Sequence, residues 1–344
     1  MFFENSKYFI QKDFYIYFQS FGGSRIFAKI LNMTFIAIVV GLLLLIKGGD
    51  WLLKSSVSLS LNLSIPKAVI GMTVVSFATS APELIVSVQS ALAGYSDIAF
   101  GNVVGSNIAN LAFVLAVTIL ITPIAVPKSF FKTDWPMMML ATLLFIGMIA
   151  FDGMLSSVEG FIMVLILIAF LYYLLKGQGV YEVTEIASEE FELLNSFQTI
   201  LYLIAGGFAL WLGSETLVLG AVSLASLMGV SERVISISVI SVGTSIPELS
   251  ASIIAIIRKE KAISLGNLIG SNVFNILAVM GITSMIQPIS VQDPSLISND
   301  LVWMFAISLL VLLMVFIPRD RRLNRFNGFV LLGLYLYFIY DILG

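Results

Sequence analysis

SFATSAPEL at residues 76–84 and GNVVGSNIAN at 101–110 return later in the chain as SVGTSIPEL at 241–249 and GNLIGSNVFN at 266–275. The offset is constant: 248 − 83, 267 − 102 and 275 − 110 each give 165. Shifted by that amount, Gly71–Val126 falls on Ser236–Val291 without a gap, and Gly48 and Asp50 fall on Gly213 and Glu215. Chance likeness between apolar helices does not reproduce Pro, Glu and Asn at matched positions. The chain is two copies of one pattern.

The surroundings of these motifs are apolar. Of 344 residues, 59% are hydrophobic and 11% charged, and mean hydropathy is +1.02. A soluble domain carries about a quarter charged residues, so the deficit places the chain in a bilayer. Apolar stretches recur at about residues 34–53, 68–93, 102–125, 135–151 and 157–176, then at 199–227, 234–257, 266–288, 300–317 and 326–343. Each is close to the ~20 residues that a membrane helix needs. Residues 177–195 interrupt them with Glu182, Glu185, Glu189, Glu190 and Glu192 and read as a solvated linker. Five spans per half is an odd number, so the second copy enters the membrane from the other side, as in many secondary transporters.

The expected fold is therefore an all-α polytopic membrane protein of ten transmembrane helices in two inverted five-helix repeats. Its parts are a tail over 1–33, a first repeat over 34–176, the acidic linker over 177–195 and a second repeat over 196–344. Ten spans put both termini on one face. The opposite face holds Lys54, Lys67, Lys128, Lys132, Lys176, Arg258, Lys259, Lys261, Arg319, Arg321, Arg322 and Arg325, against Arg233 alone on the terminus side. Basic loops stay in the cytoplasm. The expected location is a plasma (inner) membrane with both termini outside and the linker cytoplasmic. Residues 1–32, with Lys7, Lys12, Arg25 and Lys29, fit this poorly. They read as a tail lying on the membrane or as an upstream extension before Met33.

The chain has no Cys and no His, which removes disulfide, thiolate, haem and HExxH chemistry. A net charge of −3 gives no electrostatic case for nucleic acid. No resident cofactor and no protein partner is expected, and membrane lipid is the surrounding medium. Ion binding must come from carboxylates, amides, hydroxyls and backbone.

Glu83 and Glu248 each lie in the middle of an apolar span. A carboxylate there costs several kcal/mol and normally faces a functional cavity. Each follows a proline, Pro82 or Pro247. Proline frees the carbonyl four residues earlier, here that of Ala78 or Gly243. Carbonyl oxygen beside carboxylate suits a hard cation such as Ca²⁺ or Na⁺. Helical spacing adds Thr79 and Ser80 to the face of Glu83, and Thr244 and Ser245 to that of Glu248. Asn102, Ser106 and Asn110 make a polar stripe repeated by Asn267, Ser271 and Asn275. Any single hydroxyl could instead bond back to its own helix. Gly101-x-x-x-Gly105 and Gly266-x-x-x-Gly270 read as helix-packing patterns, and Asn107 and Asn272 as hydrogen bonds between helices. Asp50 and Glu215, nearer span ends, are candidates for access or gating.

At these motifs the sequence resembles the sodium/calcium exchangers of the cation/calcium antiporter superfamily, over essentially residues 34–344. The resemblance implies exchange of transported Ca²⁺ for Na⁺ by alternating access rather than enzymatic catalysis. It also implies a gate formed by the first and sixth helices. It places ion ligands on Thr79, Ser80, Glu83, Ser106 and Asn110, and on Thr244, Ser245, Glu248, Ser271 and Asn275, with backbone carbonyls around Ser76 and Ser241. Two departures stand out. Ala78 replaces the usual glycine, and Asn275 stands where some relatives, including potassium-dependent ones, have Asp. The G-N-x-x-E motif of proton-coupled relatives is absent, which favours sodium coupling. A proton-coupled divalent-cation antiporter is the alternative, ahead of a passive cation channel or an intramembrane enzyme.

Overall fold

The computed structural model describes residues 23–176, 194–228, 243–316 and 321–343. The acidic stretch 177–193, Arg233, Ser241 and Arg319 lie outside the described residues, as do residues 1–22. The regular elements of the described chain are helices and four two-residue strands. Helix α1 runs over Gly23–Leu63, followed by α2 (Lys67–Thr79), α3 (Ala81–Leu92), α4 (Ser96–Ile121), α5 (Trp135–Ile149) and α6 (Ser157–Lys176). Then come α7 (Ser196–Leu227), α8 (Ile246–Ile257), α9 (Lys261–Ile286), α10 (Leu296–Val315) and α11 (Arg325–Leu343). The strands are β1 (Ile124–Ala125), β2 (Met154–Leu155), β3 (Ile289–Ser290) and β4 (Arg322–Leu323).

Six of these helices are long and apolar enough to cross a membrane, and α2 with α3 makes a seventh if the bent pair counts as one span. The first differs from its expected bounds of 34–53. It continues from Gly23 to Leu63, 41 residues or about 62 Å at 1.5 Å per residue, roughly twice a hydrocarbon core. Lys47, Asp50 and Lys54 do not end it, because Asp50 pairs with Lys54 at 3.0 Å one turn away. Helix α7 starts with a capping box, in which Asn195 accepts from Gln198 N–H and the Gln198 side chain accepts from Asn195 N–H.

Burial separates a centre from a rim. In α4 and α9, 72% and 83% of the apolar window is buried, against 22–28% in α1, α6, α7 and α10. The rim helices present Leu43, Ile46, Ile168, Ile204 and Leu313 outward. Helices α1 and α7 meet backbone to backbone through glycines seven residues apart. A Cβ on Gly48 would lie 2.8 Å from Leu210 N, one on Gly206 2.7 Å from Leu52 N, and one on Gly213 2.9 Å from Leu45 N. Without side chains between them, the helices gain contact along their length.

The central helices are tied just as closely. A Cβ on Gly266 or Gly270 would run into α2, against the Ala68 carbonyl in one case and the Ser76 hydroxyl in the other. The expected packing role holds for that glycine pair but not for the first, since a Cβ on Gly101 would meet only Leu296 Cδ2 at 3.8 Å and one on Gly105 nothing within 4 Å. Strand β1 pairs with β4 and β2 with β3, both antiparallel, so each pair joins a loop of one half to a loop of the other. A buried ion pair of Lys67 with Glu260, 2.8 Å apart, adds a further staple.

Candidate cation site

Ser80 (φ −86°, ψ 2°) and Ser245 (φ −89°, ψ 4°) leave helical geometry at matched positions. Pro82 and Pro247 then occupy the first turn of α3 and α8. A missing N–H costs nothing there. The 43° bend between α2 and α3 is thus one helix end followed by a new helix start. Glu83 and Glu248 fall in those first turns, where the helix dipole favours a carboxylate. Both glutamates are fully buried.

The halves interlock at this point. Ser80, three residues before Glu83, donates to Glu248 Oε1 of the other half at 3.4 Å. The Thr79 hydroxyl lies 3.3 Å from Ser271 Oγ and 3.3 Å from Asn267 Oδ1. The matched contact runs from Thr244 to Ser106 Oγ, also 3.3 Å. Uninterrupted helical spacing places Thr79 and Ser80 with Glu83 on one face. The break at Ser80 ends that periodicity and turns both hydroxyls toward the opposite half.

Several buried polar atoms here have no hydrogen-bond partner among the described residues: both oxygens of Glu83, Glu248 Oε2, Ser245 Oγ, and the amide O and N of Asn110 and Asn275. Such atoms are rare in folded proteins and call for an explanation. Asn110 and Asn275 also begin π-helical turns, Asn110–Val114 and Asn275–Met280. A third π-turn, Gly71–Val75, leads into Ser76. Single π-turns inside α-helices recur at functional sites, because the extra residue redirects side chains. The Ser76 hydroxyl is shared between Gly71 O at 2.9 Å and Asn267 O at 3.0 Å, and the Ser76 carbonyl accepts from Ser80 N–H at 2.9 Å.

Two expectations change, those for the Gly243 carbonyl and for Asn107. The Gly243 carbonyl freed by Pro247 is held by Ser214 Oγ at 2.7 Å. Asn107 donates within its own helix to Val103 O at 2.7 Å, while Asn272 reaches across helices to Met138 Sδ at 3.7 Å. Asp50 is engaged by Arg258 at 2.7 Å as well as by Lys54. Sequence reasoning did not find Ser87 and Ser252, which accept from Asn102 at 2.9 Å and Asn267 at 3.1 Å. The signal was present, since 252 − 87 is again 165. Ser214 carries no such signal, because its repeat counterpart is Gly49.

The model of the sodium/calcium exchanger protein family matches residues 33–176 and 198–343. The chain belongs to the sodium/calcium exchanger family. CaxA of Alkalimonas amylolytica is 38% identical over 314 residues, covering 89% of this chain and 97% of its own. The sodium/calcium exchanger MaX1 of Methanosarcina acetivorans is 32% identical, covering 90% and 98%. The sodium/calcium exchanger of Methanococcus jannaschii superposes with a TM-score of 0.77 at 25% identity, over 90% of this chain and 98% of that one. The chain is thus a helical membrane protein with the exchanger fold, in a family of transporters whose substrates are Na⁺ and Ca²⁺.

Proposed function

We propose that the chain is a secondary active antiporter that exchanges Ca²⁺ for Na⁺ by alternating access at a two-glutamate site. The observation that supports this reading is a fully buried glutamate in each half with carboxylate oxygens that no described residue pairs, and the Ser80 hydroxyl of one half donating to Glu248 Oε1 of the other at 3.4 Å. The ligands are Glu83 and Glu248, with Thr79, Ser80, Thr244 and Ser245 beside them. Ser106, Asn110, Ser271 and Asn275 come from the central helices, and the carbonyls around Ser76 and Ser241 complete the set. Two carboxylates balance one divalent charge or hold monovalent ions in its place. Among the described residues no group of three or more acidic side chains forms a metal cluster. A low ligand charge suits a transported ion, since tight calcium sites use more carboxylates.

The chain forms two inverted five-helix repeats, 34–176 and 196–344, after a tail over 1–33 and around an acidic linker over 177–195. Contacts between loops support this topology. β1 with β4, Lys67 with Glu260, and Lys261 Nζ with Pro123 O at 3.1 Å join loops on the face assigned to the cytoplasm. β2 with β3, and Asp97 with Gln292 N at 2.7 Å, join loops on the other face. The protein sits in the plasma (inner) membrane with both termini outside. Helices α1 and α7, zipped through glycine, move together as the gate. An empty site retains buried charge, which opposes movement and enforces exchange over leak.

The test is calcium uptake into proteoliposomes under outward sodium, proton or potassium gradients. Uptake follows sodium alone, and Glu83→Gln or Glu248→Gln abolishes it. Sodium-independent uptake driven by protons would replace the sodium/calcium reading with the proton-coupled one.

A further inference from the structure

A hydroxyl has one proton and two lone pairs. It binds a cation through a lone pair, so its proton must go to an acceptor that the cation does not use. Three acceptors surround the Thr79 hydroxyl. Asn267 Oδ1 and Ser271 Oγ are each 3.3 Å away and Ser76 O is 3.4 Å away. Ser76 O already accepts from Ser80 N–H at 2.9 Å, and Ser76 and Ser271 both belong to the proposed ligand set, so a proton given to either competes with the ion. Asn267 alone lies outside that set.

We propose that Asn267 is a positioning residue that takes the Thr79 proton and thereby turns the Thr79 oxygen toward the cation. The inference rests on the two-glutamate site proposed above. Its geometry is held from three sides. Asn267 Nδ2 donates to Ser252 Oγ at 3.1 Å, which directs Oδ1 at Thr79. The Asn267 main-chain carbonyl accepts from Ser76 Oγ at 3.0 Å, fixing its helix against the first break. The residue is 1% exposed, so water does not compete for the amide. The repeat counterpart is wired differently. Asn102 Nδ2 serves Ser87 Oγ at 2.9 Å and the Glu83 main-chain carbonyl at 3.3 Å. Thr244 pairs with Ser106 instead of with Asn102. Among the described residues, only the first half has its threonine oriented from the other half by an amide.

The experiment is a double-mutant cycle read in sodium-driven calcium exchange. Thr79→Val and Asn267→Ala each raise the half-saturating calcium concentration about tenfold with the maximal rate kept, and the double variant also loses about tenfold. A loss near a hundredfold in the double variant overturns the proposal, because the residues would then act independently. The matched pair, Thr244→Val with Asn102→Ala, gives multiplying effects, and equal coupling there overturns the special role of Asn267. Should Asn267→Ala not fold, Asn267→Ser carries the same cycle, with thermal melting in detergent followed for every variant. Exchange that survives Glu83→Gln would sink the site itself, an outcome distinct from additivity in the cycle.

Discussion

Ser80 is the smallest unit on which the proposed site depends, because its hydroxyl reaches from the break of one half to the glutamate of the other. A hydrogen bond to a charged acceptor contributes about 1.5–3 kcal/mol. Ser80→Ala should therefore weaken calcium binding about tenfold or more, seen as a raised half-saturating concentration in exchange or a lower affinity in calorimetry. Unchanged affinity would mean that Glu248 is held by other groups. Glu248 Oε2 and both Glu83 oxygens have no partner among the described residues, so in the proposed site these atoms offer lone pairs to the cation. Both glutamates were legible in the sequence, since a carboxylate in an apolar span is too costly to keep without a use. Their cross-half partners were not, because spacing along one helix says nothing about a helix 165 residues away.

At the scale of elements, the breaks, the π-turns and the glycine contacts divide the labour. The breaks put carboxylates at helix starts, the π-turns begin at Asn110 and Asn275, and the glycines join α1 to α7. The proposed gate must then slide against α8, and the structure offers a way to stop it. A Cβ on Gly49 would lie 3.6 Å from Ile254 Cβ. That separation suits a disulfide, whose Cβ atoms are about 3.5–4.5 Å apart. The chain has no cysteine of its own. In Gly49→Cys with Ile254→Cys, oxidation should halt exchange and reduction should restore it. Full exchange by completely cross-linked protein would show that α1 does not move against α8. The Arg258–Asp50 ion pair spans the same boundary at 2.7 Å and must also part if the gate moves.

For the whole molecule, sidedness is the open variable that one labelling experiment resolves. Phe151, 93% exposed after α5, lies on the face assigned to the outside, and the exposed Lys132 lies on the face assigned to the cytoplasm. In this cysteine-free chain, Phe151→Cys should react with an impermeant maleimide in intact cells, and Lys132→Cys only after the membrane is opened. The reverse pattern would invert the orientation while leaving the repeat intact. Such a result would show that the count of basic loop residues misled in this chain.

Composition and the 165-residue repeat by themselves determined that the chain spans a membrane, that its sequence carries one pattern twice, and which matched pair of glutamates lies in apolar spans. They could do so because burying charge in hydrocarbon is expensive enough to leave a mark in any sequence that does it. Only the tertiary structure decided which hydroxyl faces which carboxylate, that Ser214 holds the Gly243 carbonyl, and that Asn267 reaches Thr79. Those contacts join segments far apart in the chain. Their distances follow from how closely glycine lets helices approach and from where each helix breaks, and neither is encoded in local periodicity.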